Sequence, residues 1–329
     1  MKKVILLTIA ILSLVLLAVA QTDSTGIYIQ MATTSYGQKL YRQSIEEYKA
    51  ALRFNPNHTT VIYNIACDYS LLGDEKQALA WLNKAIDAGM YRFEDDKDFD
   101  NIRKSKGFKK AVARAGKLLE EIKGRISEPV VLLPEGYDPQ KEYPLMIAMH
   151  GYGGEPVNFA QAFKTAGSKK GYIVCCPYGP DILGKASFGW GEDDQADKRI
   201  METIAFLKAK YKINEKKMII AGFSQGGYYS YYMGLKHPDI FIGSIPIGPG
   251  YGPELEPLLA GAAAKKIKFY VLMGELEPEA RIEKNLLAIK QFTKAGITSS
   301  FNFFSGVGHA LPGDADFELV RAIEWIEKY

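Results

Sequence analysis

From about residue 128 onward, short apolar runs alternate with stretches that read as helices. The runs are Pro129–Leu133, Leu145–Met149, Tyr172–Cys176, Met218–Ala221, Ile242–Ile247, Ile267–Met273 and Ser299–Phe304. The helical stretches are Pro156–Ser168, Asp194–Tyr211, Gly227–Lys236, Glu279–Ala295 and Asp314–Lys328. Strands that alternate with helices predict a mostly parallel, twisted sheet with helices on both faces and right-handed connections. In such a sheet the functional groups gather at the carboxyl ends of the strands.

Residues 25–122 follow a different period. A shift of about 34 positions places Ala32 on Ala66, Ser44 on Ala78, Tyr48 on Leu82 and Ala51 on Ala85. Small residues at these spacings let paired helices approach closely. Gly73-Asp74 supplies the turn between the two helices of the second copy, and Pro56 closes the first. Period and pattern resemble tetratricopeptide repeats. The segment Asp98-Phe99-Asp100-Asn101-Ile102-Arg103, then Phe108, resembles the cap that ends such arrays. Two functions are open for this part: a groove for a peptide or protein partner, or a scaffold packed on the second domain. Lys123-Gly124-Arg125 ends the last helix, and the next domain begins near residue 128.

The first 20 residues belong to neither pattern. Lys2 and Lys3 precede an apolar run from Val4 to Leu17, interrupted only by Thr8 and Ser13, and Ala18-Val19-Ala20 follows. Basic segment, apolar segment and small-x-small site predict a secretory signal peptide over 1–20, hence an exported protein. An uncleaved N-terminal membrane anchor is the alternative, since the run to Ala20 is about long enough to span a bilayer.

Composition narrows the classes further. An apolar fraction of 47% suits a globular chain with a sizeable core. A net charge of +3 without a basic block gives nucleic-acid binding no support. Of three cysteines, Cys175 and Cys176 are adjacent on a predicted strand and point to opposite faces, a poor geometry for a bridge. No Cys-x-x-Cys, histidine cluster or phosphate-binding glycine loop is present, so neither metal nor cofactor is expected.

The chemistry centres on Gly222-Phe223-Ser224-Gln225-Gly226-Gly227. An apolar strand leads into it and a helix follows, which is the context of a nucleophile elbow. A nucleophilic Ser224 needs a base, and the chain has four histidines. His58 lies in the repeats. His150 precedes the serine. His237 ends the elbow helix, a helix length away. His309, in Gly306-Val307-Gly308-His309-Ala310, follows the last strand and alone fits the order serine, acid, histidine. The acid should follow the strand Ile267–Met273, in Gly274-Glu275-Leu276-Glu277-Pro278-Glu279. Spacing favours Glu277, with Glu275 and Glu279 as competitors. The oxyanion of a tetrahedral intermediate needs two donors. The Gln225 backbone N–H is one. The Tyr152 N–H, in His150-Gly151-Tyr152-Gly153-Gly154, is the other.

Together these segments resemble the α/β-hydrolase superfamily over residues 128–329. Gly-Phe-Ser-Gln-Gly-Gly is similar to the phospholipase/carboxylesterase and acyl-protein thioesterase branch. The lead-in Gly136-Tyr137-Asp138-Pro139 and Tyr143-Pro144-Leu145 resembles feruloyl- and polyhydroxyalkanoate-type esterases. The resemblance implies an eight-stranded type of core, a Ser224–His309–Glu277 triad without metal, and hydrolysis of carboxylic esters through an acyl-enzyme. Glutamate stands where that family usually has aspartate. Little sequence precedes Leu145, which predicts a truncated sheet edge. The same triad would serve an amidase or peptidase, and a repeat-based binding protein with an idle hydrolase-like domain is a third reading. Trp190 and Tyr251 are the candidates for a substrate pocket. Tyr228, Tyr229, Tyr231 and Tyr232 on the elbow helix read as packing. The irregular stretch from Pro177 to Asp193 is too short for a lid, which favours short or accessible esters.

Overall fold

A computed structural model describes residues 24–126 and 128–328. The predicted signal segment lies outside the described residues. The chain divides into two compact units, one running to Arg125 and including Leu183–Lys185, the other formed by the remainder.

The first unit is all helical. Helix α1 covers residues 24–37, followed by α2 (Tyr41–Phe54), α3 (Thr59–Leu71), α4 (Glu75–Asp87), a 3-10 turn at Lys97–Phe99 and α5 (Lys106–Arg125). The positions matched by the sequence repeat are the ones buried. Ala32, Ser44, Ala51, Ala66, Ala78, Leu82 and Ala85 have no exposed surface, and Tyr48 has almost none. Ser44 is tolerated there because its hydroxyl donates to the Ala32 carbonyl at 3.0 Å. The two copies differ at their turns. Gly73 takes φ +78° between α3 and α4, and Lys39, its counterpart between α1 and α2, takes φ +60° with a side chain. Asp74 caps α4 by accepting from the Gln77 N–H, whereas Leu40 gives α2 no side-chain cap. Locally, the second copy has the glycine turn and the side-chain cap that the first lacks.

The second unit is built on a seven-stranded sheet among the described residues. Its strands are β1 (Val130–Leu132), β2 (Tyr143–Met149), β3 (Ile173–Cys176), β6 (Ile213–Phe223), β7 (Gly243–Ile247), β8 (Lys268–Gly274) and β9 (Thr298–Phe304), in the order β1-β3-β2-β6-β7-β8-β9. A separate hairpin is formed by β4 (Asp181–Gly184) and β5 (Ser187–Gly189). All neighbours in the main sheet are parallel except β1, which runs against β3. The expected eight-stranded core is thus a seven-stranded one, with a three-residue strand at its edge. The linking helices are α6 (Pro156–Lys170), α7 (Asp193–Lys210), α8 (Gln225–Lys236), α9 (Leu259–Lys265), α10 (Glu279–Ala295) and α11 (Ala315–Lys328).

The pleat sorts side chains into two cores. Leu145, Ile147, Met149 and Cys175 face one side with Tyr231, Phe269 and Phe292. Met146, Ala148 and Cys176 face the other with Phe163, Tyr172 and Ile323. Alternation by two residues puts the adjacent cysteines in different cores, and both are free thiols.

The stretch from Pro177 to Asp193 is not irregular, as the sequence suggested. It holds the β4–β5 hairpin. A weak turn, Lys185-Ala186, joins strands of three and four residues, without the Asn-Gly or Asp-Gly pair that marks such hairpins. No helix among the described residues is long and apolar enough to cross a membrane.

Candidate active site

Strand order alone brings the predicted groups together. β2 and β6 are neighbours in register, Met149 opposite Gly222, so the loop His150–Gly154 and the hexapeptide emerge side by side. β8 and β9 are likewise paired, Gly274 opposite Phe304, so the acid loop and the His309 loop emerge together. β7 lies between the two pairs.

Ser224 sits at the N-terminus of α8 with φ 56° and ψ −112°, a region that L-residues avoid. Its N–H donates to the Ile247 carbonyl at 2.9 Å, which helps hold the turn. The flanking glycines make the turn possible. A Cβ on Gly222 would stand 2.1 Å from the Gly226 carbonyl oxygen, and one on Gly226 would stand 2.1 Å from that of Met149.

His309 Nε2 lies 2.8 Å from Ser224 Oγ, and His309 Nδ1 lies 2.7 Å from Glu277 Oε1. With Nδ1–H donating to the carboxylate, Nε2 is left to accept the serine proton. Phe223 stacks on the imidazole, with ring centres 4.8 Å apart. Glu277 is buried, and the N–H that turns it inward donates to the Gly274 carbonyl at 3.3 Å. Its second oxygen forms an ion pair with Arg281 Nε at 3.3 Å, without hydrogen-bond alignment. The Arg281 guanidinium also donates to the Gly248 carbonyl. The other two glutamates go elsewhere. Glu275 is exposed and accepts from the Ser305 hydroxyl and the Gly306 N–H, and those bonds hold its carboxyl below the usual glutamate range. Glu279 is exposed at the first position of α10.

Of the predicted oxyanion donors, Gln225 follows Ser224 as the first residue of α8, and Tyr152 follows Gly151, where a Cβ would lie 3.3 Å from Ser224 Cβ. The Tyr152 and Gln225 backbone N–H groups have no acceptor among the described residues. His150, set aside as a base, is fully buried, and burial lowers its pKa. Its Nδ1 is 2.8 Å from the Gly151 carbonyl oxygen, and its Nε2 accepts from the Gly179 N–H at 3.3 Å. Of the remaining histidines, His58 caps α3 and His237 pairs with Asp197.

Both pocket candidates require correction. Trp190 is fully buried, with its indole N–H on the His150 carbonyl at 2.9 Å. Tyr251 is buried against Tyr231 and Phe292, with its hydroxyl on Gln291. Large aromatics with a satisfied polar tip are stable core residues, and composition could not separate that role from a pocket wall. The elbow-helix tyrosines pack, as predicted: Tyr229 donates to Gly191 and Tyr231 to Asn285, both from buried rings. Among the large apolar residues of the two loops, Tyr152 and Leu276 are exposed, each about two-thirds accessible (67% and 66%).

Sequence reasoning missed Arg281 and Gly248. Arg281 was detectable as a cation four positions after Glu277 at a helix start. Gly248 has φ +51°, and a Cβ there would lie 2.8 Å from Glu277 Oε1. Sequence reasoning also missed a convergence in the helical unit, where ligand-type atoms of Cys67, Asp96 and Asp98 lie within 4.8 Å of one another. The two carboxylates accept from the hydroxyls of Tyr63 and Tyr36.

A serine, a histidine and a carboxylate in line at the strand ends of an α/β-hydrolase fold form the arrangement of a serine hydrolase. Residues 122–248 match the family model Esterase, described as "Putative esterase". The chain is 25% identical over 185 residues to acyl-protein thioesterase 1 homolog 1 of Dictyostelium discoideum, covering 50% of this chain and 82% of that protein. Among solved structures, an uncharacterized protein of Bacillus cereus ATCC 10987 superposes with a TM-score of 0.52 at 23% identity, covering 91% of this chain and 97% of the other. The esterase PE8 superposes with a TM-score of 0.50 at 18% identity, covering 60% of this chain and 98% of the other. The structural likenesses concern the fold.

Proposed function

We propose that the protein hydrolyses carboxylic esters through an acyl-enzyme on Ser224. The observation that carries this reading is the unbroken chain Ser224 Oγ–His309–Glu277, with links of 2.8 and 2.7 Å. The esterase family match over 122–248 supports ester over other acyl substrates. Ser224 Oγ bonds to the ester carbonyl carbon while its proton passes to His309 Nε2. The carbonyl oxygen, now negative, takes the Tyr152 and Gln225 N–H groups. Glu277 keeps the imidazole in the required tautomer and stabilises its cation. Collapse breaks the bond to the alcohol, which leaves with the His309 proton, and water repeats the sequence to release the acid.

The exposed rim at Tyr152 and Leu276 supports substrates reached directly from solvent, hence short or accessible acyl esters. We assign the helical unit to a tetratricopeptide-type scaffold on its 34-residue period, and we infer export from the basic and apolar N-terminal sequence.

The test is a panel of oxygen esters and thioesters of increasing acyl length, with matched anilides, on wild type and Ser224→Ala. Wild type should turn over short esters, and the variant should lose about 10⁴-fold or more. A fluorophosphonate should label the wild type only. Near-native ester turnover by Ser224→Ala would sink the mechanism, and anilides cleaved faster than esters would move the substrate class to amides.

A further inference from the structure

The residues that hold the two oxyanion donors meet at one residue outside the triad, through its backbone N–H on one side and its side chain on the other. Trp190 directly follows β5. Its backbone N–H donates to the side-chain oxygen of Gln225 at 3.2 Å. Its indole N–H donates to the His150 carbonyl at 2.9 Å. The indole also stacks on the His150 ring, with centres 5.1 Å apart, and has no exposed surface.

Each contact bears on one donor. Gln225 supplies the N–H next to the nucleophile, and pinning its side chain fixes the first turn of α8. On the other side, the Gly151 carbonyl takes His150 Nδ1–H at 2.8 Å and the Gly154 N–H at 2.9 Å. In a trans peptide the carbonyl and the following N–H point in opposite directions. Holding the Gly151 carbonyl on His150 and Gly154 therefore turns the Tyr152 N–H the other way. The Gly179 N–H on His150 Nε2 selects the tautomer with hydrogen on Nδ1. Burial, which disfavours the imidazolium, keeps that ring neutral.

We propose that Trp190 is a positioning residue that sets both oxyanion donors, one through Gln225 and the other through His150. This rests on the ester-hydrolase reading of Ser224. Donors aimed in advance are what an oxyanion hole requires, since misplacement by about 1 Å can cost about 10²-fold.

The variants are Trp190→Phe, which keeps a ring and removes the indole donor, and Gln225→Met, which removes the acceptor at a partly exposed site and spares the core. A third, His150→Asn beside His150→Leu, tests whether an amide N–H in place of Nδ1–H restores the carbonyl contact. Each of Trp190→Phe and Gln225→Met should lower kcat about 10-fold with KM within about twofold, less than the 10²–10³ for deleting a donor outright. Affinity for a trifluoromethyl ketone, which forms an oxyanion on Ser224, should fall in parallel with kcat/KM. His150→Asn should recover most of what His150→Leu loses. Hydrogen–deuterium exchange of the peptide spanning residues 150–154 should rise in Trp190→Phe, and this readout needs no turnover. A folded Trp190→Phe or Gln225→Met with wild-type kcat, or lower kcat with unchanged ketone affinity, overturns the proposal. Wild type inert to every ester but with Trp190-dependent exchange would overturn the ester reading and leave the brace standing.

Discussion

Glu275 and Glu277 stand two positions apart in one loop and have opposite surroundings. Glu275 extends the β8–β9 ladder, its N–H on the Phe304 carbonyl at 2.9 Å, and its carboxylate ties to Ser305 and Gly306 in solvent. Glu277 follows a tight reversal onto the Gly274 carbonyl, and its side chain turns into the interior against His309 and Arg281. One residue type thus serves as a loop brace or as the partner of an imidazole, and the backbone path selects which. A buried carboxylate needs charge and hydrogen bonds to compensate its lost hydration. Glu277 has both, from an imidazole N–H and a guanidinium. The extra methylene of glutamate over aspartate adds a torsion, and Arg281 on the second oxygen limits it.

The sharpest way to break this contrast is to neutralise each carboxylate in turn. Glu277→Gln should lower kcat for a short ester by about 10³–10⁴, because the amide can donate to Nδ1 and hold the wrong tautomer, and it brings no charge to stabilise the imidazolium. Glu275→Gln should stay within about twofold. Equal losses in the two variants would show that the contrast is wrong.

A smaller effect is expected from Gly248→Ala. Its Cβ would stand 2.8 Å from Glu277 Oε1 and 3.4 Å from His309 Nδ1, in a backbone with φ +51°. Moving the acid should cost about 10²-fold in kcat, and a crystal structure of the variant should show the Glu277–His309 contact lengthened. An unmoved contact with full activity would refute the steric account.

Arg281→Met should cost about 10-fold, since the Glu277 carboxylate keeps His309 but loses its cation. The check is a double-mutant cycle. In a Glu277→Gln background the Arg281 change should have little further effect, and additive losses would mean that Arg281 acts elsewhere.

The smallest effect belongs to Glu275 and concerns stability against pH. Its hydrogen bonds to the Gly306 N–H and the Ser305 hydroxyl depress its folded pKa. A depressed carboxylate stabilises the fold above its unfolded value, about 4.3 for glutamate, and that contribution is lost as pH falls through the lower folded value. Glu275→Gln should therefore lower Tm slightly at neutral pH, where that contribution is present, and converge on wild type in acid, which flattens the acid limb of a Tm-against-pH profile. An unaltered acid limb would remove Glu275 as its source.

The nucleophile half of the site was far more legible than the acid half. Gly222, Ser224 and Gly226 are constrained by backbone approach, and close approach leaves glycines in the sequence at fixed spacing. His309 was reached by elimination, because only four histidines exist and one follows the last strand. The acid loop offered three glutamates, and only the turn at Gly274 distinguishes them. Trp190 and Tyr251 were misplaced for a related reason. An aromatic near a strand end has the same local sequence whether it lines a pocket or fills the core. Which it does depends on segments distant in the chain: His150 for Trp190, Gln291 for Tyr251.

By itself, the sequence determined the alternation of strands and helices, the 34-residue period of the helical unit, the elbow serine and the serine–acid–histidine order. These are local or periodic properties, written in spacing and in residues with few substitutes. Tertiary structure alone decided the seven-strand count, the hairpin of β4 and β5, the glutamate that meets His309, and the inward seat of Trp190. The hairpin is local but its turn carries no marking residue pair, whereas the strand count depends on sheet assembly and the Glu277 and Trp190 contacts span more than thirty residues. No local pattern encodes such contacts, because they form between surfaces that exist only once the sheet is assembled.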